Sequence, residues 1–176
     1  TNTTIFNNTF TNNTVSIFLQ DAKTTWILNN TFEPTNNVSI WVKGGLENTI
    51  NGTIYPHYII FENTSYAGGV INFTEDLNLE NGTFLLDDIN ISNNSIFANS
   101  TNVPGLNGSA ILTLKGIDQF VDPQPLVDVE DDAVFDVCDG TTEPSCTEVS
   151  FDGTDFVYSV TSFTTYSANE SSEIPE

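Results

Sequence analysis

Two short phrases recur at a near-constant step, and that recurrence constrains the fold more than any other feature of the chain. Asn7-Asn8-Thr9-Phe10 returns as Asn29-Asn30-Thr31-Phe32, a step of 22 residues. Asn12-Asn13 followed by Val15-Ser16-Ile17 returns as Asn36-Asn37 followed by Val38-Ser39-Ile40, a step of 23 to 24. Fainter echoes follow in Ile59-Ile60-Phe61-Glu62-Asn63 and in Ile91-Ser92-Asn93-Asn94-Ser95-Ile96-Phe97. A period in the twenties is the mark of stacked coils. Short β-branched runs at 15–19, 26–28 and 40–42 predict strands, divided by the asparagine pairs. One such unit cannot bury its own apolar face, whereas stacked units can. Asparagine suits the corners because its side chain bonds local backbone and tolerates left-handed backbone. Asparagines at matching corners can also bond along the stack as a ladder.

The asparagine-rich character stops near Asn107. An acidic region then begins near Asp118, with twelve Asp and Glu up to Asp155. This shift divides the chain into 1–102 and 103–168, with a polar tail at 169–176. The second region reads as β on its own. Phe151-Asp152-Gly153-Thr154 carries a two-residue Asp-Gly hairpin signal, which sets Val149 opposite Phe156 and Thr147 opposite Tyr158. The run 156–163 continues as a strand and is expected to pack with 111–114. Short antiparallel strands with Pro- and Gly-bearing turns suggest a small sandwich.

The phrases Asn-Asn-Thr-Phe and Asn-Asn-x-Val-Ser-Ile at this spacing resemble the right-handed parallel β-helix proteins of the NosD-like type. The stretch from Phe97-Ala98-Asn99-Ser100 through Val103-Pro104-Gly105-Leu106, with Ile111-Leu112-Thr113-Leu114-Lys115-Gly116 after it, resembles the C-terminal β module that closes many archaeal secreted β-helix proteins. The two cysteines and the ending Phe163-Thr164-Thr165-Tyr166-Ser167-Ala168 fit that module too. The resemblance covers most of the chain. It implies an all-β fold, a right-handed parallel β-helix followed by a small antiparallel β-sandwich; the helix expected here is short, about four turns, fewer than the family generally has.

Charge excludes several functions. The chain has three lysines, no arginine and 24 Asp plus Glu, for a formal charge of −21. Nucleic-acid backbones and anionic lipid surfaces are repelled by such a chain, because counterion release needs clustered cations. No apolar run approaches the roughly 18 residues needed to span a bilayer. Methionine is absent, so Thr1 is not a translation start; a removed targeting segment or a longer parent chain is expected.

Twenty-two asparagines are present, and fourteen begin an Asn-x-Ser/Thr sequon: Asn2, Asn7, Asn12, Asn29, Asn37, Asn51, Asn63, Asn72, Asn81, Asn90, Asn93, Asn99, Asn107 and Asn169. With 38 Ser plus Thr in 176 residues, random order gives about five, so the excess is threefold. Covalent N-glycans at several of these sites, and hence export to the cell surface, are the expectation. Asparagine and threonine crowding at turns is the plainer alternative. Cys138 and Cys146 lie eight apart in a turn-rich stretch. Their options are a disulfide, a two-thiolate metal site or two free thiols. A zinc site takes about four N or S ligands and only His57 is otherwise available, so a disulfide is expected.

Catalytic signals are weak. A lyase-type base would be Arg or Lys, yet Lys23, Lys43 and Lys115 have no acidic cluster beside them in sequence. Asp87-Asp88 is an adjacent acidic pair of the first region. Adjacent strand residues point to opposite faces, so a solvated corner is the expectation there. His57, between tyrosines after Pro56, reads as a packing or surface residue. Asp128, Glu130, Asp131 and Asp132, with Asp122 and Asp136 near, have the hard oxygen donors that suit calcium. A solvated acidic loop accounts for the same run, and no other cofactor is suggested. Trp26, Trp41, Tyr55 and Tyr58 either stack on sugar rings or pack between coils.

The resulting expectation is a non-catalytic, glycosylated structural protein of an archaeal cell surface. The repeat begins within seven residues of Thr1, leaving no capping element, and an open coil end has unpaired strand edges. Copies of the same chain are the expected partner, stacked head to tail or linked by strand donation from 1–18. The alternative is a carbohydrate-binding or adhesion module of a larger surface protein.

Overall fold

The computed structural model describes residues 2–45, 48–53, 58–85 and 88–172. It is all-β, with 50% of residues in strands and with parallel and antiparallel sheets, none of them closed among the described residues. The repeat phrases become parallel ladders. β1 (Thr3–Phe6), β2 (Thr9–Phe10) and β3 (Val15–Gln20) are followed by β4 (Thr25–Leu28), β5 (Thr31–Phe32) and β6 (Val38–Lys43). Next come β7 (Thr49–Thr53) and β8 (Ile59–Asn63). β1 pairs with β4 as Thr3↔Thr25, β2 with β5 as Thr9↔Thr31, and β3 with β6 as Val15↔Val38. β4 then pairs with β7 as Trp26↔Thr49, and β6 with β8 as Ile40↔Ile59. All five pairings are parallel.

A constant step stacks like on like. Ile5, Ile27 and Ile50 fall in one register, and Ile17, Ile40 and Ile59 in another. Phe10 lies over Phe32 with ring centroids 5.0 Å apart and planes 12° from parallel. Ile27, Ile40, Ile50 and Ile59 have no solvent exposure, and each such burial stabilises by about 1.5–3 kcal/mol. The corners repeat as well. Asn7, Asn29 and Gly52 occupy matching positions and all have positive φ, 57°, 52° and 61°. At the third, a Cβ would lie 2.1 Å from Asn29 Oδ1, so a side chain there would require the Asn29 amide to turn away.

The parallel register ends after β8. Asn63 Oδ1 accepts the Ser65 N–H at 3.0 Å and closes a turn too short for a parallel crossover. β9 (Gly69–Phe73) therefore returns antiparallel to β8, as Ile60↔Asn72, and β10 (Leu79–Leu85) runs antiparallel to β7. The later echo at 91–97 is not a further parallel unit. β11 (Ile89–Ser92) and β12 (Ser95–Ala98) form an antiparallel hairpin around Asn93-Asn94, with Asn94 at φ 51°. The described parallel pairings are thus three strands deep at most, where about four turns were expected.

The remaining strands are β13 (Ala110–Leu114), β14 (Pro123–Asp128), β15 (Asp136–Val137), β16 (Cys146–Phe151), β17 (Phe156–Val160) and β18 (Thr165–Glu170). A seven-stranded sheet runs β16-β17-β13-β9-β8-β6-β3, and a five-stranded sheet runs β11-β12-β18-β14-β15. The compositional shift near residue 103 is therefore no break in hydrogen bonding, since β13 pairs with β9 over five residues, Ala110↔Phe73 to Leu114↔Gly69. Phe73 joins the two halves of the core, 6.4 Å from Phe61 and 5.0 Å from Phe163 between centroids. Tyr158 and Tyr166 extend that cluster between the two larger sheets. β17 packs beside 111–114 as expected, but the strand stops at Val160. Polarity alone did not mark the end of β18, which continues to Glu170. The Glu170 carboxylate accepts the N–H groups of Val121 and Asp122 at 2.8 and 3.1 Å.

The expected two-residue hairpin is a four-residue loop. Phe151 faces Phe156, and Val149 is the extra residue of a bulge between Glu148 and Ser150. Thr147 consequently faces Ser159. Asp152 widens the loop by accepting the N–H groups of Thr154 and Asp155 at 2.9 and 2.7 Å.

Candidate functional site

The corner asparagines divide into two populations. Asn30, Asn36 and Asn48 are buried, with 0%, 1% and 2% exposure. Each reaches a neighbouring coil with both ends of its amide. Asn30 Oδ1 accepts the Asn8 backbone N–H at 3.0 Å and its side-chain N–H at 3.2 Å, while Asn30 Nδ2 donates to the Ile5 carbonyl at 2.9 Å. Asn36 Oδ1 accepts the Asn13 backbone and side-chain N–H groups at 2.9 and 3.2 Å. Its Nδ2 donates to the carbonyls of Phe10 and Glu33 at 2.9 and 2.8 Å. Asn48 takes the Thr25 N–H at 2.8 Å and donates to the Ala22 and Gly45 carbonyls. These are the expected ladders. None of the three ladder residues is a sequon asparagine.

The sequon asparagines lie outside. Asn2, Asn7, Asn12, Asn29, Asn37, Asn90, Asn93, Asn107 and Asn169 are exposed, and Asn51, Asn63, Asn72 and Asn99 are half-buried. Asn81 falls among side chains outside the described set. At Asn7-Asn8 and Asn29-Asn30 the first residue takes the left-handed corner and faces water while the second bonds along the stack. Three of these sequon asparagines also serve the fold. Asn63 Nδ2 donates to the Ile91 carbonyl, Asn99 Oδ1 accepts the Asn102 N–H, and Asn107 Oδ1 accepts the Phe163 N–H.

Cys138 and Cys146 form the disulfide, with Cα atoms 5.4 Å apart. The acidic run is organised around its own turn. Asp128 is buried and its two carboxylate oxygens accept the N–H groups of Asp132 and Ala133 at 3.1 and 2.8 Å. Asp131 instead accepts the hydroxyls of Thr164 and Thr165, and Glu130 is exposed. Among the described residues, no three acidic, histidine or cysteine side chains gather as a metal-holding group. Asp88 is buried rather than solvated, and accepts the Asn102 and Asn99 amides at 3.0 and 3.4 Å. Asp87, His57 and Tyr55 lie outside the described residues.

Two of the three lysines meet at a site that sequence spacing hides. Lys115 donates to Glu62 Oε1 at 2.9 Å, and Lys43 Nζ lies 3.6 Å from Oε2. Burial alone would raise the Glu62 pKa, but the Lys115 hydrogen bond and the charges of both lysines outweigh it and hold it below the ordinary value. The Trp41 indole N–H adds to that effect although it falls outside hydrogen-bond geometry. The partners are 53 residues apart, so only the β6-β8-β9-β13 sheet order brings them together.

Trp26 and Trp41 lie in different sheets. Trp26 is 43% exposed on β4 of the four-stranded sheet. Trp41 belongs to the seven-stranded sheet, its ring 5.2 Å from that of Phe18 with Lys43 Nζ 5.8 Å above it. Next to it a groove of about 240 Å³ is lined by Val38, Tyr58, Ile60, Asn72 and Thr74. No described helix is long and apolar enough to cross a membrane. Comparison of the chain with protein-family models, with curated proteins and with solved structures returned no match.

Proposed function

We propose that the chain is a non-catalytic, N-glycosylated structural module of an archaeal cell surface, a short right-handed parallel β-helix closed by a small β-sandwich. The division of labour at the corners carries this reading. A ladder needs one asparagine per corner, and Asn30 and Asn36 fill that role from inside. The neighbouring asparagines, each followed two residues later by Ser or Thr, face water. Glycans at the corners would keep flat, weakly charged coils soluble and apart.

Self-association is the second part of the proposal. β1, β2 and β3 are outer strands of their sheets, and residues 2–20 contain no charged side chain in a chain of net charge −21. Phe6 and Phe18 on these strands are 56% and 49% exposed. An uncharged six-residue edge such as β3 is a template for another strand. Because β9 and β10 close the parallel register, a second copy joins by strand addition at β3 rather than by continuing the 22-residue step. The experiment is secretion from an N-glycosylating host, followed by intact mass and electron microscopy. Glycan mass with filaments or arrays that are lost in Phe18→Lys supports the proposal. Dispersed chains of unmodified mass overturn it.

The adhesion reading draws on the Phe18, Trp41 and Lys43 face, whose ring edges and cation suit a polysaccharide. Saturable sugar binding lost in Trp41→Ala, with the fold retained, would favour it instead.

A further inference from the structure

Asn72 differs from the corner acceptors. It lies on β9, an interior strand of the seven-stranded sheet, between Ile60 of β8 and Ile111 of β13 in strict register. Its neighbours Ile71 and Phe73 point into the core, so Asn72 stands on the outer face, half-buried. Adjacent strands are about 4.8 Å apart, so a sugar attached to its amide stands within reach of both isoleucines. On the β8 side lies the 240 Å³ groove, which Asn72 itself lines with Val38, Tyr58, Ile60 and Thr74.

The groove has the chemistry of a monosaccharide site. A sugar ring offers an apolar C–H face and a rim of hydroxyls, and its sites combine apolar or aromatic walls with a few polar groups. Val38 and Ile60 line it as apolar residues, Tyr58 as an aromatic one, and Thr74 brings a hydroxyl already oriented by donation to the Ser109 carbonyl at 3.1 Å. Tyr58 adopts φ 47°, a left-handed value uncommon for an aromatic residue. Its carbonyl accepts the Ser39 N–H at 3.1 Å, which ties that unusual backbone to β6. We infer that the N-glycan on Asn72 folds back across the sheet and seats its first sugar in this groove, acting as an internal ligand. The inference rests on the glycosylation reading above.

Three measurements on the secreted glycoprotein test it together: site-by-site glycan occupancy by peptide mass spectrometry, thermal unfolding, and amide exchange at Ile60 and Asn72. The variants are Asn72→Gln, Tyr58→Ala and the double variant, each also made without glycans in a non-glycosylating host. Expected are an occupied Asn72, a Tm about 2–4 °C lower in Asn72→Gln, no such drop in the unglycosylated background, and loss of the difference when Tyr58 is Ala. An occupied Asn72 whose removal shifts neither Tm nor amide exchange overturns the seated sugar and leaves the glycoprotein reading intact. A bare Asn72 beside occupied corner sites does the same. A chain bare at every sequon overturns both.

Discussion

The strands β1 to β8 and the strands β9 to β18 face the same requirement, a bonded backbone around a dry core, and meet it with different side chains. In the parallel part, asparagine reaches across coils, with partners 22 to 26 residues away at Asn30 and Asn36. In the antiparallel part, aspartate works inside its own turn. Asp139 accepts the Thr141 N–H and hydroxyl at 2.7 Å each, Asp152 takes two N–H groups of its loop, and Asp128 takes two of its own. The reason is chemical. An amide both donates and accepts, so it can be repeated at each level of a stack, whereas a carboxylate only accepts and repels its copy one strand away. A ladder therefore selects Asn, and an isolated turn is served equally well by Asp. The acid-rich second region and the asparagine-rich first region are two answers set by topology.

The sharpest way to break this comparison is at the seam. Phe73→Ala removes the ring that touches both Phe61 and Phe163, and should cost about 3–5 kcal/mol in urea unfolding. If both parts then unfold in one transition, they form one cooperative unit; two transitions would show that the seam alone coupled them. Asn36→Ala should follow at about 3 kcal/mol, since the Asn13 N–H and the Phe10 and Glu33 carbonyls lose their buried partner. Its effect on amide exchange should concentrate in β2, β3, β5 and β6, and a loss confined to the antiparallel strands would contradict the ladder's role. Replacing Cys138 and Cys146 together by Ser should cost about 2–3 kcal/mol by freeing a short loop in the unfolded chain. Exchange should then rise in β14, β15 and β16 with the ladders untouched.

Acid gives the smallest effect and the cleanest contrast. Glu62, Asp139 and Asp152 all have pKa values below the ordinary carboxylate value. At Glu62 the lysines overcome burial, at Asp139 the Thr141 hydroxyl leads, and at Asp152 the Asp155 N–H leads. A group depressed on folding contributes stability above its unfolded pKa, and that contribution disappears as pH falls through the folded value. Lowering pH from 6 toward 3 should therefore loosen the turns at 139–142 and 152–155 and the Glu62 bridge. The asparagine ladders do not titrate and should keep their exchange protection. Equal loss in both parts would remove the distinction drawn here.

Much of the parallel part was legible because its signal is periodic. The steps of 22 and 23 are the registers of β1 with β4 and of β3 with β6, and the strands at 15–19, 26–28 and 40–42 lie where β-branched runs placed them. The echo at 91–97 misled because an Asn-Asn pair suits a hairpin turn as well as a coil corner, and nothing local distinguishes them. Likewise Asp152-Gly153 marked a turn but not its length. Val149 and the Asp152 acceptor bonds shifted the register by means that depend on the whole loop. Asp88 looked like a solvated corner because its amide partners, Asn99 and Asn102, come from the far side of a hairpin.

By itself, then, the chain's order of residues determined an all-β molecule, a stack built on asparagine corners, a turn-rich acidic second region and a cysteine pair close enough to bond. These depend on local propensity and on repetition, which a linear string records directly. Only the tertiary structure decided which asparagine of each pair faces inward, where the parallel register stops, and that Lys43 and Lys115 share Glu62. Those depend on which strands become neighbours. A pairing between residues 50 or 70 positions apart leaves no periodic trace until the sheet is assembled.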